Sequence, residues 1–454
     1  MRQKRVKQFN IFHVMPSNPI AKELGVISEI LDAQPRVVNL VHGDIVGIKR
    51  SDTGRLGMTA EQILRSAILK QYRSLTYKEL AFHLEDSQSF RAFARLDINQ
   101  YPSRSVLQEN IKAISASKWD VIHRVLIEYA LDQELEKGRK IRIDSTAVES
   151  NIHHPTYSKL FEDGVRVITR LLIAGKELKP MPEYSFADHR RVVRKRVVTI
   201  LNAKKQKIRE KAYKDLLNVS VRIRGYAMYA IFALKTFDSV DLMQWVRARV
   251  LREKLEQTLS ILERVMDQTE RRVIRGEKVQ ASEKISSFFE YHTDIIVKGG
   301  RDTQFGHKVF LTGGDSGIIT DCVVVHGNPA DSQMFQPMIE RQKVLYGRVP
   351  RQTAADGGFA SEDNLKRAKK EKIKDVMFAK RKGLSVLEMV KSNWVYKKLR
   401  NFRAGIEANI SRLKRSFGFN RCNWTGWLGF RQYVWSAIVS YNLSVLARLK
   451  MELD

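Results

Sequence analysis

Residues 140–150 read KIRIDSTAVES and residues 351–361 read RQTAADGGFAS. In the first stretch Ile141 and Ile143 alternate with Arg142 and Asp144, the period of two that marks a strand, here of about seven residues before Asn151 and Pro155 stop it. The second stretch reads as a strand that ends at Asp356, with Gly357 and Gly358 behind it. Working outward, TDIIVK at 293–298 has strand character. HKVFLTGGDSGIITDCVVVHGN at 307–328 holds two apolar runs around Gly313, Gly314, Asp315 and Gly317, which predicts an antiparallel hairpin. SEDNLKRAKKEK at 361–372 predicts a helix, and IKDVMFAK at 373–380 another short strand. One strand, a hairpin and then alternating helix and strand predict an α/β fold, a mixed sheet of about five strands with flanking helices. No internal repeat or low-complexity tract is visible.

The rest of the chain is mostly helical. Thr59 with Gln62, Thr76 with Glu79 and Ser105 with Gln108 have the spacing of capping boxes that open apolar-periodic runs. Within 58–93 they predict two helices joined by a turn at Arg73–Leu75, the pattern of a helix-turn-helix or of a plain helical bundle. Lys70, Arg73, Lys78, Arg91 and Arg95 favour the DNA-binding alternative. After Pro155 the pattern is helical for more than a hundred residues. Between 187 and 226 it carries 13 Lys and Arg against Asp188, Glu210 and Asp215. Arg190, Arg191, Arg194, Lys195, Arg196, Lys204 and Lys205 lead that run and are the expected DNA contacts there.

The 454 residues hold 80 Lys and Arg against 50 Asp and Glu, a net charge of +30, with 43% apolar residues. The apolar fraction suits ordinary cores in several units and excludes a disordered chain. A charge of that size repels itself and points to an acidic polymer as partner, nucleic acid before anionic membrane. Cys322 and Cys422 have no CxxC spacing, which argues against a disulfide framework and a structural zinc site and fits a reducing cytoplasm. The amino-terminal stretch lacks an apolar run of signal length. Trp424–Leu449 is broken by Arg431, Gln432 and Asn442, so membrane insertion is not expected.

The segment 391–421 carries nine Lys and Arg and a single acid, Glu407. On a helix Arg403, Glu407 and Lys414 share one face, while Ile410 and Leu413 turn toward the core. Glu407 is therefore either one half of a local ion pair with Arg403 or a metal ligand on a helix that offers cations to phosphate. Asp144 and Asp356 bear on that choice, since each sits on a strand where open α/β sheets bind ligands. Two Asp and one Glu from separate elements are the hard oxygen donors that Mg²⁺ takes, with phosphate completing the shell. In two-metal phosphoryl transfer one ion activates the attacking water or 3′-hydroxyl and the other stabilises the leaving oxygen. Asp315 reads as a turn former, Asp321 as a hairpin strand residue, and Glu149 as facing away from Asp144.

The blocks IDSTAVESNIHHPT, FGHKVFL, GNPADS, RQTAADGGFAS, KDVMFAKRKG and FRAGIEANISRLKR together resemble the DDE-type insertion-sequence transposases, closest to the ISNCY-like group, from about residue 55 to the end. The resemblance implies a ribonuclease H-like catalytic core with Asp144, Asp356 and Glu407 as a metal-binding triad, two Mg²⁺ ions with Mn²⁺ as a substitute, and a helical insertion. The expected division is a basic segment 1–55, a helical DNA-binding domain 56–135, a catalytic domain 138–159 with 286–449, and an insertion 160–285. Related transposases carry a Tyr-Arg-Glu-Lys signature. Arg403, Glu407 and Lys414 match its spacing and Arg400 stands at the tyrosine position, so tyrosine-dependent handling of a strand end is not carried over. Arg400, Arg403, Arg412, Lys414 and Arg415 are the expected DNA contacts of this helix.

The expected function is a DNA transposase that binds the inverted-repeat ends of its own element, cuts and joins strands on double-stranded DNA, and works as a dimer or larger assembly at the cytoplasmic nucleoid. A metal-dependent nuclease and a non-catalytic DNA-binding protein are the alternatives. His153 and His154 are read as loop-packing residues. Trp424, Trp427, Phe430, Tyr433, Trp435 and Tyr441, at near-helical spacing, are read as the seam that packs a terminal helix on the sheet.

Overall fold

A computed structural model describes residues 3–5, 18–47, 57–297, 303–380 and 382–453. Of the basic segment expected at 1–55, residues 1–2, 6–17 and 48–55 lie outside the described residues. The chain divides into two compact units, residues 1–150 with 307–454 and residues 151–306.

The sheet of the first unit is built from β1 (Lys140–Glu149), β3 (Gln304–Gly313), β4 (Ile319–Val324), β5 (Gln352–Ala355) and β6 (Asp375–Phe378), in the order β4-β3-β1-β5-β6. A sixth short strand, β2 (Asp294–Ile296), pairs antiparallel with Gln304–Gly306 in the second unit and raises the expected five strands to six. The hairpin β3–β4 is antiparallel, with a register shift at Thr312/Gly313. β1, β5 and β6 run parallel, with Ile143 opposite Ala355 and Ala355 opposite Phe378. Parallel strands need crossover connections, supplied here by helices Asp331–Tyr346 and Glu362–Lys370. β1 is ten residues long rather than about seven, because Glu149 pairs onward with the segment after the last sheet-packed helix, through Glu149 N–H to Asn420 O at 3.0 Å and Cys422 N–H to Glu149 O at 2.8 Å.

Among the described residues the same unit holds seven helices before β1. Two of them, Pro19–Asp32 and Pro35–Val46, occupy the second half of the segment expected to be merely basic. The capping boxes at Thr59/Gln62 and Thr76/Glu79 form. The third helix starts earlier than expected. Ser103, held extended behind Pro102, caps Arg104–Lys112, and Ser105 falls inside the first turn. The long helix Gly426–Met451 is buried along most of its length and packs chiefly on Pro19–Asp32, Ala60–Tyr72 and Ala116–Asp132. Its aromatic residues are core, as expected, but the seam they fill lies among the amino-terminal helices more than on the sheet.

A buried charge network ties these helices together. Arg65 donates to Asp32 at 2.9 Å, to Glu61 at 3.3 Å and to Ser28 Oγ at 2.7 Å, and Arg95 reaches both acids. Lys70 is also buried. Its ammonium lies 5.0 Å from the Tyr77 ring centroid, 5.7 Å from Tyr433 and 5.8 Å from Trp424, and burial lowers its pKa to about 8. Arg91 spends its donors on the carbonyls of Leu84, Asp97, Ile98 and Gln100. Three of the five cations read as DNA-facing therefore serve the interior, which leaves Arg73 and Lys78 exposed.

The second unit is a helical body of Tyr157–Lys176, Arg190–Asn202, Gln206–Lys235 and Leu242–Thr269 around its own core, including Phe161, Leu172, Leu216, Leu255 and Leu262. It begins and ends outside the expected 160–285 limits. His154 packs edge-on to Phe305 at 5.5 Å.

Candidate active site

Alternation along β1 separates two sets of contacts. Arg142 and Asp144 face the helix Asn393–Ser416, while Ser145 faces the start of helix Asp331–Tyr346. The helix Asn393–Ser416 is capped by the Ser392 side chain and packs on β1, β5 and β6 through the buried Val395, Leu399, Ile406 and Leu413. Burying each such side chain contributes about 1.5–3 kcal/mol. Its rotation and height are set by two polar anchors. Tyr396 OH donates to Phe378 O at 2.9 Å, and Arg142 Nη1 donates to Phe402 O at 3.1 Å. A Cβ at position 405 would lie 1.9 Å from Arg142 Nη1. Glycine, unfavourable inside a helix, leaves room here for the Arg142 guanidinium to cross without shifting.

The parallel register that pairs Ile143 with Ala355 brings Asp144 and Asp356 side by side at the next step. Glu407 hangs from the helix above them. All three carboxylates converge on Arg403, whose Nη1 lies 3.1 Å from Asp356 Oδ1 and 3.7 Å from Asp144 Oδ2, and whose Nη2 donates to Glu407 Oε1. Of the two alternatives for Glu407 the local ion pair with Arg403 forms, and the same guanidinium also reaches the two aspartates. Three acids around one base leave a net charge of −2. Asp356 is 45% and Glu407 59% exposed at the side chain, against 15% for Asp144 and 13% for Arg403. The Asp144 carboxylate also accepts the Ser145 N–H at 2.7 Å.

A fourth acid next to this site escaped the sequence reading. Asp331 accepts from Ser145 Oγ at 3.0 Å and pairs with Lys308 of β3 at 2.7 Å. Lys308 also donates to Pro329 O at 2.8 Å. A Cβ on Gly358 would meet Asp331 Oδ2 at 2.4 Å, and one on Gly357 would meet the Lys380 side chain at 2.5 Å. The two glycines after Asp356 therefore let the loop close against its neighbours rather than open a path for a large ligand. Ser145 and Thr146 are likewise buried. The signal for Asp331 was a lysine at a buried strand position, which demands an acid.

The other acids go elsewhere. Asp321 forms a two-point pair with Arg341, 2.7 Å at Nη2, which raises the guanidinium pKa. Asp315 is an exposed turn residue 3.2 Å from Lys140.

Of the cations expected at DNA on this helix, Arg400 and Arg415 are exposed and Lys414 is half-buried. Arg403 belongs to the carboxylate cluster. Arg412 is turned inward, donating to Ser444 Oγ at 2.8 Å beside the Phe417 and Tyr441 rings, and burial lowers its pKa. It is half-buried, on the side of the helix toward Gly426–Met451. In the second unit Arg191, Arg194 and Lys195 line one shallow groove with Val198, Thr199 and Asn202, and Lys204 and Lys205 are exposed. Arg190 pairs with Asp188 at 2.6 Å and Arg196 with Asp215 at 3.1 Å.

Residues 286–443 match the family model of the Transposase DDE domain, and residues 18–113 match that of the Transposase domain DUF772. Together the matches take in more than half of the sequence. The chain belongs to the DDE-type insertion-sequence transposases. The DDE match spans Asp356 and Glu407 of the transposase and begins after β1, so Asp144 lies outside it. With this match the β4-β3-β1-β5-β6 sheet is the ribonuclease H-like core of the transposase. The DUF772 match begins at residue 18, so the two early helices belong with the transposase's amino-terminal domain. The ISNCY-like placement is narrower than these matches and rests on the sequence blocks alone. No curated protein and no solved structure matches the chain.

Proposed function

We propose that this transposase binds the ends of its own insertion sequence and carries out Mg²⁺-dependent strand cleavage and strand transfer, with Asp144, Asp356 and Glu407 as the metal-binding residues. The observation that carries the reading is the convergence of these carboxylates, from two parallel strands and one helix, on a single guanidinium. The donor set fits the group: three carboxylates in surplus over the one cation among them suit a hard, oxygen-seeking divalent ion, Mg²⁺ with Mn²⁺ as a substitute. When bound, two such ions supply an activated hydroxyl nucleophile and a stabilised leaving oxygen.

The chain's own residues do the positioning. Arg142 and Gly405 fix the helix that carries Glu407, and Asp331 and Gly358 support the strand ends that carry the two aspartates. Arg400, Lys414 and Arg415 extend the basic face toward phosphates. Arg191, Arg194, Lys195, Lys204 and Lys205 form a second basic surface, which with the amino-terminal helices would hold inverted-repeat and target DNA. Two-ended chemistry asks for two protomers. Among the described residues no helix is long and apolar enough to cross a membrane.

The test is a gel assay on DNA flanking the gene, with Mg²⁺ or EDTA, comparing wild type with Glu407→Gln. Cuts at defined ends and joined products that vanish in the variant are expected. Cuts without joining would reduce the function to hydrolysis. Binding without cutting under any divalent metal would overturn the proposal.

A further inference from the structure

We propose that Arg403 is a displaceable counterion that occupies the seat of the divalent metal in the DNA-free protein and leaves it for a DNA phosphate, so that DNA and metal bind cooperatively. This rests on the reading of Asp144, Asp356 and Glu407 as the metal-binding residues. The argument is one of shared space. Arg403 Nη1 lies 3.1 Å from Asp356 Oδ1 and 3.7 Å from Asp144 Oδ2. A Mg²⁺ ion bonds oxygen at about 2.0–2.1 Å. An ion bridging the two aspartates must therefore take the volume the guanidinium fills, and the two cations compete.

The electrostatics set the direction. With Arg403 in place the cluster carries −2, against −3 without it, so the guanidinium lowers the pull on an arriving cation as well as blocking it. A guanidinium withdrawn from three carboxylates needs another anion, and phosphate matches its planar fork. Arg400 and Arg415 on the same helix are exposed and extend the basic face along which a DNA backbone would lie. Metal uptake without DNA displaces Arg403 into water, whereas uptake with DNA hands it to a phosphate. Linkage makes the effect reciprocal: DNA tightens metal binding by the factor by which metal tightens DNA binding. The protein alone is thereby kept poorly charged with metal.

The test measures Mn²⁺ affinity of the full chain by titration calorimetry and by the loss of the free-ion electron paramagnetic signal, with and without a short DNA duplex. Arg403→Gln is expected to bind Mn²⁺ at least about fivefold tighter than wild type when DNA is absent, and to gain less from the duplex. Arg403→Lys, which keeps the charge but not the planar fork, is expected to bind Mn²⁺ without DNA less tightly than Arg403→Gln does, and guards against a misfolded glutamine variant. If Asp144→Asn abolishes Mn²⁺ binding but Arg403→Gln binds no tighter than wild type, the seat is right and the counterion role is wrong. If Asp144→Asn leaves Mn²⁺ binding unchanged, the metal-site reading fails and takes this inference with it.

Discussion

Two clusters in the same compact unit join carboxylates to guanidinium groups, with different sums. Under the amino-terminal helices Asp32 and Glu61 face Arg65 and Arg95, two charges against two, and Arg65 and Glu61 are 1% and 2% exposed. At the sheet Asp144, Asp356 and Glu407 converge on Arg403, and two of the acids are open to water. The balanced, sealed cluster holds helices together. The unbalanced, open one retains a negative surplus, which costs stability. Charge balance and exposure, more than the presence of ion pairs, separate a fastening from a site.

The contrast breaks most sharply by substitution. Asp144→Asn or Asp356→Asn is expected to lower Mg²⁺-dependent cleavage of end DNA by about 10³-fold or more while leaving DNA affinity equal or higher and the melting temperature equal or higher, since repulsion is relieved. A fall in melting temperature would place these acids with the fastening. Glu61→Ala should do the opposite, costing about 3–5 kcal/mol of stability because two buried guanidiniums lose a shared acceptor. Denaturant unfolding measures it, and a cost under about 1 kcal/mol would remove the distinction.

Lys70 is a third case, a buried cation among aromatic rings. Its folded pKa of about 8 lies below the ordinary 10.5. Below pH 8 both folded and unfolded chains hold the proton, and the full cost of burying the charge is present. Between pH 8 and 10.5 the folded chain releases it first, so stability rises with pH. Lys70→Met is therefore expected to stabilise the protein at pH 7 by on the order of 2–3 kcal/mol, with the gain shrinking as pH passes from 8 to 10.5. A gain independent of pH would assign it to packing alone. The smallest effect concerns the second unit: replacing Arg191, Arg194 and Lys195 by alanine should flatten the slope of log binding constant against log salt by up to about 3, with no change in melting temperature.

Much of this was legible in the sequence where the signal is local. The alternation in KIRIDSTAVES located β1, the glycines of TGGDSG located the hairpin, and Asp356 stood at its strand end. What stayed hidden depends on pairing across the chain. Arg403 to Glu407 is visible as one helical turn, but its reach to Asp144 and Asp356 depends on a sheet register that no spacing encodes. Asp331, within GNPADS, was not singled out because its partners, Lys308 and Ser145, come from other strands. Lys70, Arg91 and Arg95 looked like a DNA-facing set because what draws each inward, the Tyr77, Tyr433 and Trp424 rings, the carbonyls from Leu84 to Gln100, and Asp32 with Glu61, comes from other elements.

The helix Gly426–Met451 has a consequence for biosynthesis. It fills the core shared by helices Pro19–Asp32, Ala60–Tyr72 and Ala116–Asp132, so the apolar faces of those helices stay uncovered until residues 426–451 have been synthesised. β1 waits similarly for β5, some two hundred residues later. Nascent or truncated chains hold open apolar faces and no assembled set of carboxylates, which makes them aggregation-prone and inert. Only a chain synthesised beyond Glu407 can bring Asp144, Asp356 and Glu407 together.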